Sequence, residues 1–172
     1  IVSFAERGDS VLVHCENGAD YEGAALIGAD GLWSPTRAAI VDDGAPRVAG
    51  HVTYRGVVPT DEIIDRSHLD SMTIWIGPDL HLVQYRLRGG AVMNNVATVN
   101  SRRFRRGEKD FGGADELDGV FERADPRVRD MLRYISRDRN WVLHDREPVT
   151  NWTRGRATLL GDAAHPTLQY LA

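Results

Sequence analysis

Apolar and polar positions alternate in the manner of strands from the start of the chain. Residues Ser10 to Cys15 are mostly apolar and β-branched, Glu16-Asn17-Gly18 supplies a turn, and Tyr21 to Ile27 follows, which predicts a hairpin feeding a buried strand. That strand runs into Gly28-Ala29-Asp30-Gly31. Ser34-Pro35-Thr36-Arg37 then predicts a short helix to about Val41, with Ser34 as N-cap and Pro35 at the first helical position. Four further strand patterns, His51 to Val58, Met72 to Ile76, His81 to Arg86 and Ala91 to Asn100, are separated by turn signals such as Gly77-Pro78-Asp79 and Gly89-Gly90. An antiparallel sheet is the economical reading. Arg102, Arg103, Arg105, Arg106 and Lys109 read as an exposed, solvated loop leading into helices.

Helical spacing takes over next. Leu117, Val120 and Phe121 predict a helix over 115–124, and Val128, Met131, Leu132 and Ile135 predict another over 126–135. Asn140 to Val149 reads as one more strand, and Arg156 to Leu160 as a short apolar strand ending at Gly161-Asp162. There is no internal repeat and no low-complexity segment.

Composition narrows the function classes. Lys+Arg 21 against Asp+Glu 25 leaves 172 residues with a net charge of −4, which lacks the basic footprint of a nucleic-acid binder. With 42% hydrophobic and 27% charged residues the chain is globular. No apolar run approaches the roughly 18 residues that span a bilayer, so the expectation is a soluble, cytoplasmic enzyme with no membrane partner. The single cysteine, Cys15, excludes an internal disulfide and a cysteine-based zinc cluster. Redox chemistry, if present, must come from a cofactor.

Two strand ends share one grammar, an apolar run closed by small residues and an Asp: Leu26-Ile27-Gly28-Ala29-Asp30-Gly31 and Leu159-Leu160-Gly161-Asp162-Ala163-Ala164-His165-Pro166. Glycine lets the backbone approach a phosphate, a carboxylate accepts hydrogen bonds from ribose hydroxyls, and the carboxyl ends of parallel strands are where α/β sheets hold ligands. With their flanks, these segments resemble the "DG" and "GD" motifs of the class A flavoprotein aromatic hydroxylases, which have the p-hydroxybenzoate hydroxylase fold. The resemblance implies an α/β chain with α+β elements, made of part of a Rossmann-like FAD domain and a mostly antiparallel substrate-binding sheet. The implied boundaries are 1–49 and 141–172 for the FAD domain, and 50–140 for the substrate sheet and helices. It implies FAD contacts at Gly161, Asp162, Ala163 and Pro166, and FAD or nicotinamide contacts at Asp30, Gly31 and Arg37. NADH or NADPH would be the co-substrate, with dioxygen and a small aromatic compound as the other reactants, in a full-length protein that can form a homodimer. The family's N-terminal Gly-x-Gly-x-x-Gly fingerprint is not in this sequence, so the expectation is an internal piece, inactive by itself.

Substrate chemistry is expected on the sheet. Strand alternation puts His81, Val83 and Tyr85 on one face, a base and a phenol on a common surface. His81-x-x-x-Tyr85, Arg88-Gly89-Gly90 and Pro166-Thr167-Leu168-Gln169-Tyr170 look most like the 3-hydroxybenzoate 6-hydroxylases. In that group the corresponding His and Gln bind and activate the phenol, so His81, Gln169 and Tyr85 are the implied catalytic residues. The product would be gentisate. Salicylate hydroxylases, other phenol or heteroaromatic hydroxylases, and a non-catalytic flavin-fold binding module are the alternatives. Arg55 and Arg86 are candidates for a substrate carboxylate, with Arg86 pointing away from His81 in a regular strand. Ser34 lacks the flanking glycines of a nucleophile elbow, and Asp162 with His165 has no third ligand for a metal.

Overall fold

The computed structural model describes residues 1–171 and divides into two compact units. One is Ile1–Arg47 together with the segment from His144 onward, and the other is Val48–Leu143.

In the first unit, β1 (Ser3–Arg7), β2 (Ser10–His14) and β3 (Asp20–Gly23) form an antiparallel sheet in that order. The alternation did not reveal β1, because all but Phe4 of its residues are exposed. The single strand expected over Tyr21 to Ile27 is two strands. β3 stops at Gly23, and β4 (Leu26–Gly28) belongs to another sheet, where it pairs in parallel with β11 (Ala157–Leu159). The change of partner is fixed at Arg156, whose carbonyl accepts from Leu26 N and whose guanidinium donates to Ala24 O at 3.2 Å and to Gly8 O at 3.2 Å. β10 (Thr153–Arg154) completes this sheet on the far side of β11. Helix α1 (Pro35–Ile40) starts as the sequence requires, with Ser34 Oγ accepting from Arg37 N at 2.7 Å and Pro35 in the first turn. It packs so close to β4 that a Cβ on Gly28 would lie 2.6 Å from Thr36 Cγ2, which accounts for the glycine.

The second unit holds a five-stranded sheet built from β5 (Arg47–Pro59), β6 (Thr73–Gly77), β7 (Leu80–Leu87), β8 (Val92–Asn100) and β9 (Asn140–Asp145), in the order β6-β7-β8-β5-β9. The β6/β7, β7/β8 and β8/β5 pairs are antiparallel. Val52, Tyr54, Leu82, Ala97 and Val99 project from one face and pack on Leu117, Val120 and Phe121 of α3 (Ala114–Phe121) and on Val128 and Met131 of α4 (Pro126–Met131). α4 is shorter than its apolar pattern, since residues 132–134 tighten into a single 3-10 turn.

The arginine-rich segment is a short helix, α2 (Arg102–Arg105), rather than a loop. Its charges are paired: Arg105 makes a bidentate contact with Asp79 at 2.8 and 3.0 Å, and Arg103 meets Asp115. The buried carboxylate of Glu116 ties this helix down, accepting from Ser101 Oγ at 2.8 Å, Arg103 N at 3.1 Å and Gly112 N at 2.8 Å. Burial pushes its pKa up, but these three donors outweigh burial and hold it below the usual carboxylate range. Glu116→Ala would leave buried donors without an acceptor, at an expected cost of about 3 kcal/mol. A depressed folded-state pKa gives stability that is present above the unfolded value and lost as pH falls through the folded one. The gap between wild type and variant in urea unfolding of the full-length protein should therefore narrow in acid.

Candidate functional site

In the first unit both motifs leave the carboxyl ends of neighbouring parallel strands. The pairing sets Gly28 opposite Leu159, and Leu160 N donates to Gly28 O at 2.9 Å. At the end of β11, Gly161 turns with φ +62°, where its missing Cβ would point into open space. Residues Gly161–Ala163 make one 3-10 turn, and the N–H groups of Ala164 and His165 both donate to Gly161 O at 2.9 Å. The N–H groups of Asp162 and Ala163 precede that first internal bond. Ala163 and Ala164 are buried, Pro166 is half-buried, and the Asp162 side chain is exposed, with no ion pair among the described residues. His165 lies against Trp152, ring centroids 5.2 Å apart, and Gln169 is half-buried in a 3-10 turn over Gln169–Leu171.

A ribose and pyrophosphate suit this donor set. An exposed carboxylate accepts hydroxyls, two N–H groups at a turn suit phosphate oxygens, and the side-chain-free positions Gly31 and Gly161 leave room for close approach.

Asp30 and Arg37, expected as cofactor or nicotinamide contacts, are occupied otherwise. The Asp30 carboxylate caps α1: Oδ1 accepts from Ser34 Oγ at 2.5 Å, and Oδ2 accepts from Thr36 N at 3.0 Å and Thr36 Oγ1 at 2.7 Å. Burial raises its pKa, yet the hydrogen bonds from Ser34 and Thr36 outweigh burial and keep the group ionised. Arg37 is 0% exposed. Its Nη1 donates to the carbonyls of Ala163 at 3.0 Å and Ala164 at 2.6 Å, while Nε and Nη2 grip Asp43 at 2.6 to 3.1 Å. Arg37 therefore holds the second motif from behind. Two partners escaped the sequence reading: Asp43, and Arg146, which donates to Asp43 at 3.0 Å, Leu32 O at 3.1 Å and Gly44 O at 2.6 Å. Neither sits in a recognisable motif, and Arg146 meets Asp43 across 103 residues of chain.

In the second unit, the sheet face opposite α3 and α4 carries the predicted substrate chemistry. Register aligns Ile76, His81, Thr98 and Thr53 in one cross-strand row, Ile74, Val83, Val96 and Arg55 in the next, and Tyr85, Asn94 and Val57 beyond. His81 and Tyr85 do share a face, as alternation required. About 13 Å of strand separates them, with Val83 between. Arg55 is on the same face, its guanidinium 5.6 Å from the Trp141 ring centroid. Arg86 is on the other face and pairs with Asp70.

His81 is half-buried, and burial, reinforced by the neighbouring His51, pushes its pKa below the ordinary imidazole value. It is a neutral imidazole at neutral pH, able to accept a proton. His51, two residues before Thr53 on the same face, is pushed down by burial and by Arg105. Between the two histidines in register lie Thr53 and Thr98, 0% and 2% exposed, with hydroxyl oxygens 3.0 Å apart. The threonines and His51 escaped the sequence reading, because only the β5/β8 register brings them beside His81.

No helix among the described residues is long and apolar enough to cross a membrane. No family model matches the chain. Over 167 residues it is 45% identical to 3-hydroxybenzoate 6-hydroxylase 2 of Aquipseudomonas alcaligenes, covering 97% of this chain and 52% of that protein. To the 3-hydroxybenzoate 6-hydroxylase of Polaromonas naphthalenivorans it is 42% identical, covering 95% of this chain and 40% of that protein. A salicylate hydroxylase solved as a substrate complex superposes with a TM-score of 0.80 at 27% identity, over 98% of this chain and 46% of that one. HpxO of Klebsiella pneumoniae, solved with FAD and uric acid, gives a TM-score of 0.75 at 25% identity, over 95% of this chain and 42% of that one. Over nearly its whole length the chain is similar to a part of these aromatic hydroxylases. It spans about half the length of the curated relatives it matches.

Proposed function

We propose that the chain is part of a cytoplasmic flavoprotein monooxygenase that converts 3-hydroxybenzoate to gentisate, using NADH or NADPH and dioxygen. The observation that carries this reading is His81: a neutral, half-buried imidazole on a sheet face of hydroxyl and aliphatic side chains, in a chain 45% identical to a 3-hydroxybenzoate 6-hydroxylase. FAD, when bound and reduced by the nicotinamide, would supply an electrophilic oxygen derived from dioxygen. The residues of this chain prepare the ring for it. His81 takes the phenolic proton, which raises electron density para to that oxygen. Tyr85 borders the ring, and Arg55 answers the carboxylate. Asp162 accepts from the ribose hydroxyls, while the backbone of Gly161 to Ala163 and the ring of Pro166 border the rest of the dinucleotide.

The test is product identification. Full-length protein loaded with FAD should couple nicotinamide oxidation to gentisate formation from 3-hydroxybenzoate. Catechol from salicylate as the main coupled product would instead support a salicylate hydroxylase, and nicotinamide oxidation insensitive to every phenol would refute an aromatic hydroxylase.

A further inference from the structure

Two asparagines stand side by side on β8, and the sheet treats them differently. Asn95, on the face that packs against α3 and α4, is 0% exposed and fully engaged: its Oδ1 accepts from Gln84 Nε2 at 2.7 Å, and its Nδ2 donates to Gly56 O at 3.3 Å and Met93 O at 3.4 Å. Asn94 points the other way. Register sets it between Tyr85 of β7 and Val57 of β5, on the face of His81. It is 6% exposed, yet its carboxamide makes no hydrogen bond with any described residue. The half-buried Tyr85, directly opposed to it and about 4.5–5.5 Å away at Cβ, likewise has a hydroxyl with no hydrogen bond among the described residues. An unpaired buried amide costs free energy that a leucine in its place would not. Among the described residues, the buried side-chain polar atoms sealed without a partner are Thr60 Oγ1 and His68 Nε2. The amide atoms of Asn94 are therefore not sealed, and a group from outside can reach them.

We propose that Asn94 is a specificity residue for the carboxylate of the substrate, donating its amide N–H to a carboxylate oxygen beside the hydroxyl of Tyr85. The spacing of the rows supports this. His81 and the Tyr85–Asn94 row are two rows apart, about 13 Å along the strands. In 3-hydroxybenzoate the phenolic oxygen and the carboxylate are about 5–6 Å apart, and a hydrogen bond of about 2.8 Å at each end lengthens the span to roughly 11–12 Å. The phenol then meets His81 while the carboxylate meets Asn94. Salicylate, whose two groups are adjacent on the ring, spans only roughly 8 Å on the same count and falls short of joining the rows. Between them lies the apolar pair Val83 and Val96, which suits the face of an aromatic ring. Arg55 stands in that middle row on β5 and adds positive charge, whereas the amide of Asn94 sets where the carboxylate lies. A neutral donor is also the cheaper one to bury in the empty site, since an unpaired charge there would cost far more.

This inference rests on the reading of the chain as part of a hydroxybenzoate hydroxylase, and the experiment separates the two. FAD-loaded full-length enzyme is titrated calorimetrically with 3-hydroxybenzoate and with 3-methylphenol, which keeps the phenol and lacks the carboxylate. Wild type should bind 3-hydroxybenzoate the more tightly. Asn94→Leu should lose about 10- to 100-fold in affinity for 3-hydroxybenzoate, the worth of a hydrogen bond to a charged group, and hold its affinity for 3-methylphenol. It should also resist urea at least as well as wild type, because no hydrogen bond within the protein is lost. Asn94→Asp, nearly the same size, should bind 3-hydroxybenzoate more weakly still through like-charge repulsion and again spare 3-methylphenol. Unchanged affinity for 3-hydroxybenzoate in both variants, or an equal loss for the two ligands, would overturn the role of Asn94 and leave the hydroxylase reading intact. A wild-type enzyme that binds neither phenol would overturn both.

Discussion

In the full-length protein, His81→Ala is expected to slow hydroxylation by about 10²–10⁴-fold, the range a positioned acid–base group supplies, and to leave FAD bound. The expectation follows from protonation state. Burial and the nearby His51 hold the His81 pKa below the ordinary imidazole value, so the base form dominates at neutral pH. The hydroxylation rate should rise with pH through that lowered pKa and then level off. In the variant this limb should vanish, with activity returning only where the phenol ionises by itself. FAD retention is expected because the proposed ribose and phosphate contacts belong to the Gly161–Ala163 turn. Nicotinamide oxidation should continue and release hydrogen peroxide in place of product. Rapid mixing of the reduced, substrate-bound enzyme with oxygen, following product, is the measurement. A wild-type rate with an unaltered pH profile would reduce His81 to a packing residue.

Much of this was legible because the governing interactions are local. Ser34 and Pro35 announce α1 through capping chemistry confined to one turn. The alternation of His81, Val83 and Tyr85 fixes their common face without knowledge of any partner strand. What could not be read from the sequence depends on distant chain. Arg37 is expected at the cofactor from its motif alone, and only the folded chain brings it against the carbonyls of Ala163 and Ala164, 126 and 127 residues away. The arginines at 102–106 are solvent-facing as read, but their helix was not legible, because the groups that hold it, Asp79, Asp115 and Glu116, arrive from other elements. Thr53 and Thr98 are unremarkable strand residues until the β5/β8 register places them in the row of His81.

Arg37 carries the second large prediction, in which stability and cofactor affinity fall together. Its side chain is buried and engages the Asp43 carboxylate and the carbonyls that follow Asp162. Removing this buried side chain costs about 2–4 kcal/mol, since the buried carbonyls of Ala163 and Ala164 lose their donor and a space is left in the packing, while Asp43 keeps its access to solvent. Arg146 still reaches Asp43, which favours the lower end for Arg37→Ala. Arg37→Lys should rescue little, because a point charge with three donors cannot grip a carboxylate side-on and two carbonyls together. Hydrogen bonding from Arg37, followed by its charge and that of Arg146, holds the Asp43 pKa below the usual carboxylate range. A depressed folded-state pKa contributes stability that is present above the unfolded value and disappears as pH falls through the folded one. The difference between wild type and Arg37→Ala should therefore be full at neutral pH and shrink in acid. Loosening the 161–164 turn should also weaken FAD binding, although Arg37 touches the turn only from behind. Asp162→Ala is the contrasting variant. Its side chain is exposed, so it should lose about 10- to 100-fold in FAD affinity with urea unfolding of the apoprotein unchanged. If Arg37→Ala instead unfolds like wild type and weakens FAD as Asp162→Ala does, Arg37 is a direct ligand and its place behind the turn is wrong.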